Sequence, residues 1–256
     1  MTPNSIDVPH ILAQTFVARV EYYASIPSTN DRAKQCAVQG PGELPLLVVA
    51  DQQTAGRGRG TRRWWTGRGS LAFSLLVDAA TLGADRGHSP LVALAAALTI
   101  VDTVAPLLPA HGVGIHWPND VYAAGGKLAG ILVEVLPDRR HVVGIGLNTN
   151  NTRAEFPPEL QQNAATLRDL SGQQHDQTRI LTTLLTNLED NFRLLTTNPE
   201  QISARADQLC LQRGQTLTLE LGQECFTGRC AGIAPDGALV LEMAQGTRSF
   251  YSGILS

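Results

Sequence analysis

The run LPLLVVAD, residues 44–51, leads through QQTA into GRGRGTRRWWTGRG, residues 56–69, and then into SLAFSLLVD, residues 70–78. The two apolar runs read as buried strands. Between them lies a segment of five arginines and five glycines. No Asp or Glu occurs between Asp51 and Asp78, although the whole chain carries a formal net charge of -3. The positive charge is therefore local, and charge of one sign concentrates an anionic ligand. Arginine grips phosphate or carboxylate through a planar fork of donors. Glycine lets backbone N–H groups come close to such a ligand. The pattern predicts an anion cradle, with a disordered basic loop or a non-specific RNA-binding segment as the bland alternative.

Other classes fall away quickly. A strand followed by GRGRG has the outline of a dinucleotide fingerprint, but TRRWWTGRG is not the apolar helix that fingerprint opens. Apolar residues make up 43% and charged residues 17% of the 256 residues, as in a globular chain. A pI near 6.1 argues against general nucleic-acid coating. Cys36, Cys210, Cys225 and Cys230 form no CxxC pair, so reduced thiols and a cytoplasmic setting are expected. The N-terminal residues have no signal-peptide pattern. LVALAAALTIVDTVAPLL is broken by Asp102 and Pro106 and reads as a core helix within residues 89–108, not a membrane span.

Along the chain, residues 18–26 read as a strand and Ser28 or Thr29 as the N-cap of a helix stopped by Gly40. GVGIHWPND and VYAAGGKLAGILVEVL suggest strands joined by turns, and residues 141–150 a strand with an exposed polar end. Residues 151–172 read as a functional loop. Residues 176–197 and 199–209 read as helices. Beyond Leu209 the pattern changes to short alternating strands with an Asp236-Gly237 hairpin turn. The expected class is α+β: a mixed sheet flanked by helices over residues 1–207, then a small β-barrel-like unit over 208–256.

Three further groups carry chemistry. Lys127 is one of only two lysines among 20 basic residues, and follows a Gly-Gly pair at the mouth of an apolar strand. A compact ammonium there suits a point anion. Ser28-Thr29-Asn30 opens a helix, itself a polar-ligand site. The glycines of GIGLNTN, residues 144–150, permit close approach of a ligand or another backbone.

In this order and spacing, STN, QQTAGRGRGTRRW, WPND with KLAGILVE, and GIGLNTN resemble the biotin protein ligase family. The resemblance runs from about Tyr22 to the C-terminus, where TGRCAGIAPDGALVLE is similar to that family's SH3-like domain. It implies a class II aminoacyl-tRNA synthetase-like catalytic fold. The implied activity joins biotin to ATP as biotinyl-5'-AMP and passes the biotinyl group to a lysine of a biotin carboxyl-carrier domain. It places biotin at Ser28, Thr29, Asn30, Gln53, Gly56, Arg57, Arg59, Lys127, Gly130 and Leu132. It places ATP or the adenylate at Arg57, Arg59, Arg62, His116, Asn119, Lys127 and Asn148. Lys127, Arg59 and Asp120 are the implied catalytic set, with Asp120 either handling the incoming lysine or helping to hold Mg²⁺. About 27 residues precede STN, so the short form without a DNA-binding domain is expected, with no DNA or membrane partner and a possible homodimer. A lipoate- or octanoate-type acyl ligase and a non-catalytic biotin-binding protein are the alternatives. Two departures stand out. Gly60-Thr61 replaces the family's Arg-Gly, and His116 replaces the lysine before WPND, which makes phosphate binding that weakens with rising pH an expectation.

Overall fold

A computed structural model of the chain describes residues 5–40, 42–82 and 90–255. Residue 89, where the core helix was expected to begin, lies outside them. The elements run α1 (Val8–Gln14), β1 (Arg19–Tyr23), α2 (Thr29–Gln39), β2 (Leu46–Ala50), β3 (Leu71–Val77), α3 (Pro90–Val104), β4 (Val113–His116), β5 (Asp120–Ala123), β6 (Gly126–Val135) and β7 (His141–Leu147). Then come α4 (Pro158–Gln161), α5 (Leu167–Ser171), α6 (Gln177–Thr197), α7 (Pro199–Gln208), β8 (Thr216–Leu221), β9 (Glu224–Ile233), β10 (Leu239–Met243), β11 (Gly246–Phe250) and β12 (Ile254–Leu255).

The first seven strands form one sheet in the order β1-β2-β3-β7-β6-β5-β4. Only β1 and β2 pair in parallel; every other neighbour is antiparallel. Because side chains alternate along a strand, each strand divides its residues between two layers. Leu71, Phe73 and Leu75 of β3 join Val143, Ile145 and Leu147 of β7 and Ile131 of β6 in the main core, against α3 and α6. On the opposite face Leu46, Val48, Leu76 and Val142 meet Ala33, Cys36 and Ala37 of α2. Residues Pro90–Leu107 are long and apolar enough for a membrane span by composition, but α3 is buried between the sheet, α6 and α7. Both carboxylate oxygens of Asp102, the break in that run, accept from one guanidinium nitrogen of Arg205 of α7, at 2.7 and 2.9 Å.

α2 covers only part of its face. Beyond its N-terminus the sheet carries Ser74, Gly144, Gly146 and Gly130, none with a large side chain, and that bare floor becomes the site. The remaining strands form an antiparallel sheet in the order β11-β10-β9-β8-β12, packed around Leu219, Cys230, Leu241 and Phe250. Gly237 makes the expected turn between β9 and β10, with φ +87°.

The small sheet is fastened to the large one at the WPND corner. Leu209 and Leu211 extend the β4 edge, with Ile115 N donating to Leu209 O at 2.8 Å and Leu211 N to Ile115 O at 3.0 Å. Trp117 is fully buried, and its indole Nε1 donates to Gly237 O at 3.1 Å. Gln212 holds both backbone groups of Trp117, accepting from its N at 3.1 Å and donating to its O at 3.3 Å.

Residues 151–172, expected as a loop, contain α4 and α5, and a second expectation is overturned. The polar end of the strand at 141–150 is not exposed: β7 stops at Leu147, and Asn148, Thr149, Asn150 and Asn151 are all buried. Their side chains satisfy backbone groups of the chain crossing beside them. Asn148 donates to Ala165 O at 3.0 Å, and Asn150 exchanges bonds with the main chain of His175 at 2.7 and 2.8 Å.

Candidate active site

The floor of the site follows from missing side chains. A Cβ on Gly144 would stand 2.8 Å from Cγ of Asn30, and one on Gly146 would stand 2.7 Å from Cζ2 of Trp64. These two glycines on β7 therefore admit one side chain from α2 and one from the arginine-glycine loop. Gly130 on β6 leaves the neighbouring space, where a Cβ would meet Trp64, Lys127 and Asp120 at 3.1–3.4 Å.

One wall is the start of α2. Ser28 caps the helix by accepting from Asp31 N at 3.3 Å, as its β-region backbone allows. Thr29 gives both its N–H and its hydroxyl to Gln53 Oε1, at 2.8 and 3.1 Å. Ser74 Oγ lies 2.8 Å from Thr29 Oγ1 and 2.5 Å from Asn30 Oδ1. These are buried polar groups that hold one another, as such groups must.

The loop forms the second wall. Arg57 and Arg63 bridge in antiparallel fashion, Gly58 N donates to Arg62 O at 2.8 Å, and Arg62 N to Arg59 O at 3.2 Å. The result is a tight hairpin whose tip is Arg59-Gly60-Thr61-Arg62. Gly60 has φ +61°, a left-handed conformation that glycine adopts without Cβ strain. Arg59 donates to Asn119 Oδ1 at 3.1 Å and to Gly253 O of the small sheet at 3.4 Å. Burial pushes its guanidinium below the usual arginine range, and Asp120 partly restores it.

The third wall is the WPND corner and β6. Asn119 donates to Ile131 O at 2.6 Å. Lys127 Nζ donates to Asp120 Oδ2 at 2.7 Å and stands 5.7 Å from the centroid of the Trp64 ring. Asp120 Oδ1, Trp64 Nε1 and Arg57 Nε are buried and have no hydrogen-bond partner among the described residues. Buried polar atoms without partners are rare, and three of them belong to side chains that line one cleft.

Of the residues singled out in the sequence, Ser28, Thr29, Asn30, Gln53, Arg57, Arg59, Arg62, Asn119, Asp120, Lys127, Gly130 and Leu132 all line this cleft. It is a cleft partly open to solvent, lined by polar and charged side chains over a glycine floor. Three do not line it. Gly56 lies behind the loop, where a Cβ would meet Gln53 Nε2 at 3.1 Å. His116 stacks on Tyr122 with centroids 4.8 Å apart. Burial lowers its pKa below the usual imidazole range, against the pull of Asp120, so the ring is neutral at pH 7 and above. The expected weakening of phosphate binding with rising pH depends on this ring touching ATP, and the ring does not line the cleft. Asn148 lines a second, adjoining pocket walled by Trp65, Tyr122 and Phe156. Trp65 and Phe156 pack there with centroids 4.4 Å apart. Lys127 lines both pockets.

Several participants were not anticipated, Phe156 and Arg63 among them. Ser74, Trp65 and Glu134 all support the site, and only Glu134 had a usable signal. It follows Gly130 and Leu132 at a spacing of two on β6, which puts all three on one face.

Comparison with known proteins gives the chain a family. The pattern of the biotin/lipoate A/B protein ligase family matches residues 22–150. The chain belongs to this family. The biotin protein ligase C terminal domain matches residues 214–256, so both sheets have counterparts in biotin protein ligases. The biotin–[acetyl-CoA-carboxylase] ligase of Mycobacterium tuberculosis is 34% identical over 233 residues, covering 90% of this chain and 85% of the relative. The bifunctional ligase/repressor BirA of Bacillus spizizenii is 31% identical over 238 residues, covering 90% of this chain and 71% of the relative. Among solved structures, the biotin protein ligase from Aquifex aeolicus in complex with biotin and ATP superposes with a TM-score of 0.82. The identity is 26%, over 93% of this chain and 98% of that one.

Proposed function

We propose that the protein activates biotin with ATP and transfers it to a lysine of a biotin carboxyl-carrier domain. The observation that carries the reading is that one ammonium, Lys127, serves two adjoining pockets. The Thr29–Asn30–Gln53 pocket offers amide and hydroxyl groups for a small polar bicycle. The Trp65–Phe156 pocket offers flat apolar walls for a purine. A reaction joining the two ligands needs positive charge at their junction, and Lys127 stands there.

In the first step a carboxylate oxygen of biotin attacks the α-phosphorus of ATP, and pyrophosphate leaves. Both reactants are anions, so positive charge that strengthens as they meet lowers the barrier. Lys127 faces the forming bond, and Arg59, Arg62 and Arg63 lie on the loop above it. In the second step the lysine amine of the carrier attacks the biotinyl carbonyl and AMP departs. Asp120 Oδ1, the unpartnered oxygen beside Lys127, is the group placed to take the amine's proton. Mg²⁺ would neutralise phosphate charge when bound. Among the described residues no three metal-capable side chains stand together, so Asp120 would supply one oxygen and the phosphates most of the rest, a common arrangement for this ion. The hairpin and its two tryptophans keep water from the mixed anhydride.

The test is biotin-dependent ATP–pyrophosphate exchange, run beside lipoate, on the wild type and on Lys127→Ala. Exchange with biotin that falls by about a hundredfold or more in the variant is expected, the usual scale for loss of a charge-stabilising donor. Exchange with lipoate alone assigns the sister activity. Tight biotin binding with no exchange leaves a binding protein.

A further inference from the structure

Glu134 stands near the end of β6, outside the sets of residues implied by the resemblance, yet three side chains from α2 and the hairpin meet on it. Oε2 accepts from Asn30 Nδ2 at 2.8 Å and from the Arg57 guanidinium, and Oε1 accepts from Lys34 Nζ at 3.0 Å. Asp31, one turn into α2, takes the same Arg57 nitrogen at 3.0 Å. Burial alone would push the Glu134 carboxyl up, but the bonds from Asn30, Arg57 and Lys34 together hold it below the usual glutamate range. It is therefore ionised whenever the protein is folded near neutrality. One edge of the Arg57 guanidinium is spent on these carboxylates, while its Nε remains buried without a partner among the described residues.

We propose that Glu134 is a positioning residue that fastens the arginine-glycine hairpin over the cleft through Arg57 and, through Asn30, holds the floor beneath it. Arg57 then acts as the loop's anchor. Its terminal nitrogen is fixed to β6 and α2, and the unspent Nε is left for a ligand. Toward its tip the hairpin is held by bonds from Arg59 to the uncharged Asn119 Oδ1 and Gly253 O, while Arg62 and Arg63 are exposed. Loss of the Glu134 charge should free the hairpin while the sheet below stays folded.

The hairpin carries its own cleavage sites, so limited trypsin digestion with mass identification reads the anchor directly. Glu134→Gln is expected to raise cleavage within residues 59–68, sites present in every variant, about tenfold, the weight of one charge-assisted hydrogen bond in a local opening. Lys34→Gln, which touches the same carboxylate from the helix, should leave it within about twofold. Arg57→Gln should match Glu134→Gln, and the double variant should be no faster than either, because both remove one link. Unchanged loop cleavage in Glu134→Gln, or additive effects in the double variant, overturns the proposal. If Glu134→Gln fails to fold, Arg57→Gln decides alone, and unchanged loop cleavage there overturns it. A second readout rests on the proposed function. In the exchange assay Glu134→Gln should raise the KM for biotin and that for ATP together, each about tenfold, because the freed hairpin carries Arg57 and the phosphate-facing Arg59 and Arg62. Both KM values unchanged overturn the positioning role. A wild type without exchange would sink the functional reading and leave the digestion result standing.

Discussion

Substituting Gly144 with alanine tests whether the floor of the cleft is built from absent side chains. The added Cβ would lie 2.8 Å from Asn30 Cγ and 3.1 Å from its Nδ2, and closer still to Oδ1. Something must move. If Asn30 turns away, it gives up its bond to the Glu134 carboxylate and its bond with Ser74 Oγ. The first is charge-assisted and contributes about 1.5–3 kcal/mol, the second about 0.5–1.5 kcal/mol. If the strand moves instead, β7 must shift between β3 and β6, which pair along its whole length. Overpacking of that kind costs about 1–3 kcal/mol. The cheaper route sets the outcome, so Gly144→Ala should lose about 2 kcal/mol, a fall in Tm of roughly 4–8 °C for a chain of this size. The two routes differ in their ligand effect. Displacement of Asn30 should weaken biotin binding by about tenfold or more in calorimetry, since about 1.4 kcal/mol is a factor of ten. Gly112→Ala is the control, because a Cβ there has no atom within 4 Å. A Gly144→Ala protein with wild-type Tm and wild-type biotin affinity would refute the packing of Asn30 onto β7 and the role of the glycine pair.

Trp117→Phe should keep the ring packed but leave Gly237 O without its donor, at a cost of about 1–3 kcal/mol; denaturant unfolding with separate probes for the two sheets should show the small sheet loosening first, and a single unshifted transition would count against the clamp. Acid stability should depend on Glu21. Burial alone would raise its pKa, but hydrogen bonds from Arg32 and Tyr23 and the charges of Arg32 and Arg19 lower it from 4.5 to about 2. A depressed carboxylate stabilises the fold above its unfolded pKa, and that contribution is lost as pH falls through the folded value. The urea midpoint should therefore drop between about pH 5 and pH 2, and Glu21→Gln should flatten that part of the profile; an unchanged profile would show that the cluster contributes nothing.

Much of this architecture was legible because it rests on local pattern. The apolar runs at 44–51 and 70–78 hold the strands β2 and β3, each a little shorter than its run, and Ser28 and Gly237 took their cap and turn positions. Gly144 and Gly146 did mark close approach, although the approaching groups are Asn30 and Trp64. What stayed hidden was decided by distant chain. Asn148 to Asn151 look like a solvated end, and only the crossing segments around Ala165 and His175 make them interior. Trp117 looks like part of a polar corner, but its indole is spent on a hairpin 120 residues away. Trp65 and Phe156 carry no mutual signal in the sequence, because nothing local says that two loops will meet.

The placement of the indoles has a practical consequence. The chain has only three tryptophans. Trp64 lies on the glycine floor beside Lys127, Trp65 forms the wall against Phe156, and Trp117 sits sealed at the junction of the two sheets. Tryptophan fluorescence of the unlabelled protein, excited selectively over the four tyrosines, thus comes from the cleft and from the junction of the sheets. Two emitters watch the cleft and one watches the seam, and single Trp→Phe variants would separate their signals during a single turnover.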